Sequence, residues 1–116
     1  MPRAATTTDV FNAIAEPRRR QIIELLARRG GLAVGAVVLT LGLPQPAVSK
    51  HLAVLRQVGI VFADKDGRQR VYRLNAQKLR SVFDWAKAFE QLWSHQLDRI
   101  KQRAEQKARQ RHDSSN

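Results

Sequence analysis

The 116-residue chain contains no cysteine, which excludes disulfides, thiolate metal sites and thiol redox sensing. Its 3 histidines leave little material for an imidazole metal site. Acidic residues are scarce: 10 Asp and Glu stand against 21 Lys and Arg, for a net charge of +11. Long hydrophobic runs are missing too. The stretch between Arg29 and Lys50 is uncharged, but Gly42, Pro44 and Pro46 interrupt it. Its apolar part, Leu32 to Leu43, falls short of the roughly 20 residues that span a bilayer. The opening Met1-Pro2-Arg3-Ala4-Ala5-Thr6 lacks the apolar core of a signal peptide. A cytoplasmic protein with no membrane association is therefore expected. There is no glycine-rich phosphate loop and no carboxylate pair in an apolar setting, so neither an enzyme nor a cofactor is expected.

What is present suits one folded domain. Hydrophobic residues at 43% and charged residues at 27% are ordinary for a globular chain, and the length favours one core. The surplus of positive charge points to a polyanionic partner, nucleic acid or an anionic membrane, without separating the two.

Residues 1–8 read as a flexible N-terminus. Thr8 or Asp9 caps a short helix over Val10 to Ala15. Pro17 suits the first turn of a second helix, whose apolar stripe is Ile22, Ile23, Leu25 and Leu26 and which Gly30-Gly31 end. Val34 to Leu41 reads as a third helix, with a strand as the alternative because Val34, Val37, Val38 and Thr40 are β-branched. A fourth helix, Gln45 to Val58, has Val48, Leu52 and Leu55 at helical spacing. Ile60 to Lys65 and Gln69 to Leu74 are strand-like, with the hairpin signal Asp66-Gly67 between them. Asn75 caps a last long helix to about Lys107, with the stripe Leu79, Val82, Phe83, Ala86, Phe89, Trp93, Leu97, Ile100 and Ala104. Residues 108–116 read as a disordered tail. The order defines a mostly α fold with a β-hairpin wing: a winged helix-turn-helix over residues 9–107, dimerising through a long C-terminal helix.

On the fourth helix, at about 100° per residue, Val48, Leu52 and Leu55 face one way and Pro46, Lys50, Ala53 and Gln57 the other, with Ser49 on the flank. Polar groups at the N-terminal end and small residues beyond suit entry into a DNA major groove. Gln45 can pair with adenine, Lys50 with guanine or phosphate, and Ser49 with either. His51 projects to the edge of the buried face, as a DNA contact or a partly buried packing residue. An ordinary solvated face is the competing reading of the helix. In the hairpin, Lys65, Arg68, Arg70 and Arg73 surround a tight turn, and Arg68 and Arg70 are expected to share one strand face. They suit phosphate contact or minor-groove insertion, or else protect an edge strand; Gln69, on the opposite face, is a weaker candidate. Arg18-Arg19-Arg20 either touch phosphate or hold ion pairs, against an unfavourable helix dipole that Glu16 and Glu24 partly offset. The Ser49/His51 pair is better explained by the recognition helix than by catalysis. His95 and Asp98, three apart on the last helix, make two ligands at most and no metal site by themselves.

The runs Phe11-Asn12-Ala13-Ile14-Ala15-Glu16-Pro17-Arg18-Arg19-Arg20-Gln21-Ile22-Ile23-Glu24-Leu25-Leu26 and Pro44-Gln45-Pro46-Ala47-Val48-Ser49-Lys50-His51-Leu52-Ala53-Val54-Leu55 resemble the ArsR/SmtB family of bacterial winged-helix repressors. The wing run Gly67-Arg68-Gln69-Arg70-Val71-Tyr72-Arg73-Leu74 does so too, and the resemblance covers about residues 9 to 105. It implies a homodimer, an inverted-repeat operator in double-stranded DNA, and repression relieved by a signal. It places Gln45, Ser49 and Lys50 in the family's base-reading and phosphate-contacting stretch, His51 in the same motif, and Arg68 and Arg70 in its basic wing; Pro46 joins the DNA-contacting set by its place on the outward face of the fourth helix. The apolar stripe of the last helix continues long after the wing has ended, and its part Phe89, Trp93, Leu97 and Ile100 is expected to be a dimer seam. Founding members carry Cys-Val-Cys on the third helix, where this chain has Ala33-Val34-Gly35. The last-helix metal site of other members pairs Asp and His at a spacing that His95 and Asp98 do not reproduce. Val38 replaces a usual small alanine, which bears on the packing angle of the recognition helix. Phe89-Glu90-Gln91-Leu92-Trp93 resembles a subgroup without metal motifs, and the effector is unknown. Two other classes compete with this reading: a nonspecific architectural nucleic-acid-binding protein, and a protein-interaction module built on the last helix.

With no cysteine and no ligand atom in Ala33-Val34-Gly35, stoichiometric zinc, cadmium or arsenite should leave operator affinity unchanged. A fluorescence-anisotropy titration checks this, and a tenfold weakening by any one of them would contradict it.

Overall fold

The computed structural model describes residues 9–114, with side chains as far as 111. The expected flexible start, residues 1–8, lies outside that range. The Asp9 carboxylate accepts from the Phe11 N–H at 2.8 Å and opens α1 (Val10–Ala15). Glu16 then turns the chain. Its extended backbone ends α1, and its carboxylate accepts from the Arg18 N–H at 2.9 Å, capping α2 (Pro17–Arg29). Pro17 sits where its missing N–H is not needed.

A two-residue strand, β1 (Leu32–Ala33), precedes α3 (Val34–Leu41). The β-branched α3 is a helix because only the helical period puts Val34, Val37, Val38 and Leu41 together against the core. The Thr40 hydroxyl donates back to the Ala36 carbonyl at 2.8 Å. Gly42 closes α3 through its N–H to the Val38 carbonyl, and after Leu43-Pro44 the chain enters α4 (Gln45–Gln57). Strands β2 (Val61–Asp66) and β3 (Gln69–Leu74) form an antiparallel hairpin with Asp66 opposite Gln69. Its two-residue loop is Gly67-Arg68, one residue later than the expected Asp66-Gly67 because Asp66 pairs with Gln69 within the strands; it opens on a glycine at φ 67°, the backbone a type II′ turn requires of its first residue. β3 is central, with β1 on its other side, Leu32 facing Tyr72 and Ala33 facing Val71. Two residues carry no readable period, so β1 left no signal in the sequence.

The core brings α2 (Ile22, Leu25, Leu26), α3 (Val37), α4 (Val48, Leu52, Leu55) and the base of the hairpin (Ile60, Val61, Tyr72) into one cluster. Each such side chain contributes about 1.5–3 kcal/mol by burial.

The C-terminal part corrects the expectation of one helix capped by Asn75. Residues Ala76–Leu79 form a 3-10 turn, followed by α5 (Arg80–Lys87) and α6 (Glu90–Ser114). Asn75 makes no side-chain cap. Its amide instead donates to the Gly59 carbonyl at 3.0 Å and its backbone N–H to the Ile60 carbonyl at 2.7 Å, tying the end of the hairpin to its start. The break between α5 and α6 is a local tightening, with the Ala88 and Phe89 N–H groups bonding three residues back, to Trp85 and Ala86. No glycine or proline signals it. α6 also continues past Lys107, through residues expected to be a disordered tail, because Ala108, Arg109, Gln110 and Arg111 are all good helix formers. The chain divides into two compact units, Met1–Val82 and Phe83–Asn116. The first holds the whole helix-turn-helix and wing.

Gly31 is needed for close approach: a Cβ there would lie 2.7 Å from Val71 Cγ1 and 2.7 Å from Arg73 Nη1 on β3. Gly31→Ala should therefore destabilise the protein by about 1–3 kcal/mol. Gly35→Ala, where a Cβ meets nothing within 4 Å and lies in a helix, should stabilise by about 0.5–1 kcal/mol. Urea unfolding midpoints of the two variants should move in opposite directions.

Candidate nucleic-acid interface

The inward face of α4 sets what its outward face presents. Val48, Leu52 and Leu55 are fully buried. Gln45, Pro46, Ser49, Lys50, Ala53 and Gln57 are all exposed. The first two turns thus offer an amide, a hydroxyl and an ammonium group, and the next turn offers the small Ala53. No side chain caps the helix start; Pro44 is the N-cap residue, and its carbonyl accepts from Val48 N–H at 3.1 Å.

The wing is rearranged relative to expectation. Arg68 is the second residue of the turn, not part of a strand, so the two-residue period that would align it with Arg70 does not apply. Arg70 instead stands directly opposite Lys65 across the hairpin. Like charges in that position repel, and this pair was not foreseen. Gln69 lies on the other face with Asp66, as expected. On that face too, Arg73 Nε lies 3.5 Å from Asp64 Oδ2, an exposed ion pair worth little energetically that nonetheless occupies Arg73.

The triple arginine has a role that neither reading of the sequence anticipated. Arg19 Nε donates to the Ala13 carbonyl at 2.6 Å and Nη2 to the Asn12 carbonyl at 3.4 Å. Arg20 Nη1 donates to the carbonyls of Ile14 at 2.7 Å and Ala15 at 3.3 Å. Both cations thus satisfy carbonyls at the C-terminal end of α1, where positive charge is favoured. Arg18 stays exposed at the start of α2. A short helix followed at once by Glu-Pro is the signal that could have revealed this arrangement.

Arg19 reaches one step further: its Nη1 lies 3.5 Å from Nδ1 of His51 on α4. His51 is half-buried, as the packing reading of it expects. Burial, and then the positive charge of Arg19, hold its pKa below the ordinary 6.5, with Glu16 opposing. Stability from the neutral ring is therefore present above about pH 6.5 and lost as pH falls through the lower folded value. The Glu16 carboxyl is lowered below 4.5, chiefly by the hydrogen bond from the Arg18 N–H.

In the second unit, Trp93, Leu97 and Ile100 are exposed at 49%, 64% and 61%, and Phe83, Trp85 and Leu92 are exposed beside them in sequence. Phe89 is half-buried, its ring edge-on to Trp85 at 5.3 Å and stacked with Trp93 at 6.4 Å. Trp85 and Leu92 fall outside the stripe traced in the sequence. Among the described residues no three His, Cys, Asp or Glu side chains gather as a metal set, and no helix is long and apolar enough to cross a membrane.

A helix-turn-helix whose second helix bears polar and small groups outward, beside a cationic antiparallel hairpin, defines a winged helix-turn-helix DNA-binding protein. Comparison with known proteins narrows this. The pattern of the bacterial regulatory protein arsR family matches residues 16–62. An uncharacterized HTH-type transcriptional regulator of Methanocaldococcus jannaschii is 32% identical over 71% of this chain and 92% of its own length. The transcriptional repressor SdpR of Bacillus subtilis is 31% identical over 66% of this chain and 84% of its own. Among solved structures, the homodimeric winged helix-turn-helix DNA-binding domain of a possible ArsR-family regulator from Mycobacterium bovis matches with a TM-score of 0.59 and 26% identity, over 78% of this chain and 91% of that one. The chain belongs to the arsR family of bacterial regulatory proteins and is a DNA-binding transcriptional regulator.

Proposed function

We propose that the protein is a homodimeric repressor that binds an inverted-repeat operator, with α4 of each subunit in successive major grooves. The observation that carries this reading is the division of α4 into a fully buried face and an outward face with its donors in the first two turns. Gln45, Ser49 and Lys50 read base edges, Pro46 keeps the helix start free of bulk, and His51 touches the strand at the groove edge. Arg68 and Arg70 hold phosphates. The opposition of Lys65 and Arg70 supports this, because two cations held face to face repel until an anion lies between them. The dimer seam is Phe89, Trp93, Leu97 and Ile100. It is supported by their apolar character and by the exposure of Trp93, Leu97 and Ile100, since an exposed apolar surface marks an interface. The likeness to a homodimeric domain is consistent with it. In this reading residues 9–107 act as one DNA-binding and dimerising module in the cytoplasm.

Selection of bound duplexes from a random pool should recover a palindrome with half-sites about 34 Å apart. Recovery of unrelated sequences would favour the architectural reading, which the net charge of +11 allows. Ser49→Ala should weaken operator binding while sparing scrambled DNA. Arg70→Ala should weaken both and lower the salt slope by about 1. Equal losses on the two DNAs for Ser49→Ala would move Ser49 to the backbone contacts.

Trp93→Ala tests the seam. A two-fold interface loses each truncated side chain twice, and removing a buried Trp costs roughly 3–5 kcal/mol. Sedimentation should show a dimeric wild type and a variant that is monomeric at micromolar concentration, or unfolded if folding and association are inseparable. A monomeric wild type, or a fully dimeric variant with intact operator affinity, would refute the assignment.

A further inference from the structure

We propose that Arg19 is a positioning residue of the DNA-reading helix: it holds the His51 ring in the Nε2–H tautomer, so that a single N–H donor faces outward from the edge of α4. The tautomer assignment follows from donor chemistry. A guanidinium carries only N–H donors and accepts nothing. Two of the three Arg19 nitrogens donate to the carbonyls of Ala13 and Asn12, which fixes the plane of the group against the end of α1. The third, Nη1, lies 3.5 Å from His51 Nδ1. That contact is attractive only if Nδ1 presents its lone pair, so the ring proton must sit on Nε2. Among the described residues no other hydrogen bond to the ring is formed, so the Nε2–H remains a donor for a ligand. The ring stands at the edge of the buried face of α4, on the helix whose outward face carries the other donors.

The charges around the ring favour the same state. Arg19 and Arg18 on α2 and Lys50 on α4 oppose a positive charge on His51, while Glu16, between α1 and α2, is the one acid favouring it. A protonated ring would point an Nδ1–H at Arg19 and break the link. Arg19 therefore joins the end of α1 to the recognition helix through a single planar group, and that join depends on His51 being neutral.

The proposal deepens the DNA-binding role given to His51 above, and its first test needs no DNA. Long-range 15N–1H correlation spectra of the wild-type protein should show His51 as the Nε2–H tautomer. In Arg19→Met, which keeps the stem and removes donors and charge, the ring should become a tautomer mixture and its pKa should rise. Arg20 still satisfies the Ile14 and Ala15 carbonyls in that variant, and circular dichroism checks that it folds. A wild-type ring in the Nδ1–H form, or a tautomer unmoved by Arg19→Met, overturns the proposal. If Arg19→Met unfolds, His51→Asn and His51→Gln decide. Asn keeps an acceptor near the Nδ1 position and loses the outer donor; Gln keeps an outer donor and loses the link to Arg19. Each should bind operator about tenfold more weakly, as expected for one charge-assisted hydrogen bond. Where Arg19→Met folds, the double variant with His51→Gln should bind operator no more weakly than the weaker-binding of the two single variants, because both remove the same join. Additive losses would overturn it. Unchanged operator binding by His51→Asn, His51→Gln and Ser49→Ala together would sink the DNA-contact reading of α4 instead, leaving the tautomer result standing on its own.

Discussion

Burial of Val48, Leu52 and Leu55 is the constraint from which the rest of the interface follows. These three side chains are fully enclosed among α2, α3 and the base of the hairpin. α4 cannot rotate about its axis without drawing one of them into water, at a loss of about 1.5–3 kcal/mol each. Its opposite face is therefore presented at one fixed angle, and Gln45, Ser49 and Lys50 are exposed because of what lies behind them. A reading helix that could roll would present a changing set of donors and lose discrimination between bases.

Polar links refine what the core sets coarsely. Arg19 and Arg20 fold back onto the carbonyls of α1, and Arg19 continues to His51 on α4. Asn75 ties the end of the wing to the Gly59–Ile60 corner, where α4 gives way to β2. The wing thus hangs from a segment held at both ends, while its tip, with Arg68, Lys65 and Arg70, is exposed. A rigid base with a charged, solvated tip suits phosphate contacts that set register, since such contacts carry no sequence information themselves.

The positive surplus is spread over the chain for different reasons. Arg19 and Arg20 are structural cations with intramolecular acceptors, and Arg73 is partnered by Asp64. The net charge of +11 therefore overstates the number of cations available for phosphate. Lys50, Lys65, Arg68 and Arg70 are the more informative part of it, because they border the reading helix or crown the wing.

Element order, the recognition helix, the hairpin turn and the inward stripe were determined by the sequence itself, because each rests on a local rule: helical or two-residue periodicity, a capping acid, a glycine in a turn. The family likeness was legible for the same reason, in contiguous runs such as Pro44 to Leu55. Other features needed partners distant in the chain. β1 exists only because β3 offers it a pairing edge, and Gly31 is required only because Val71 and Arg73 pass so close. Arg68 parted from Arg70 because the turn, and not the strand, claimed it. Asn75 gave up its cap for an acceptor across the hairpin, and the break at Ala88–Phe89 carries no glycine or proline to announce it. The arginines of α2 show the division most plainly. Their charge and number are written in the sequence, but only the packing of α1 and α4 around them decided which would satisfy carbonyls, which would meet His51 and which would stay in water, because a long side chain's partner is set by tertiary distance and not by position along the chain.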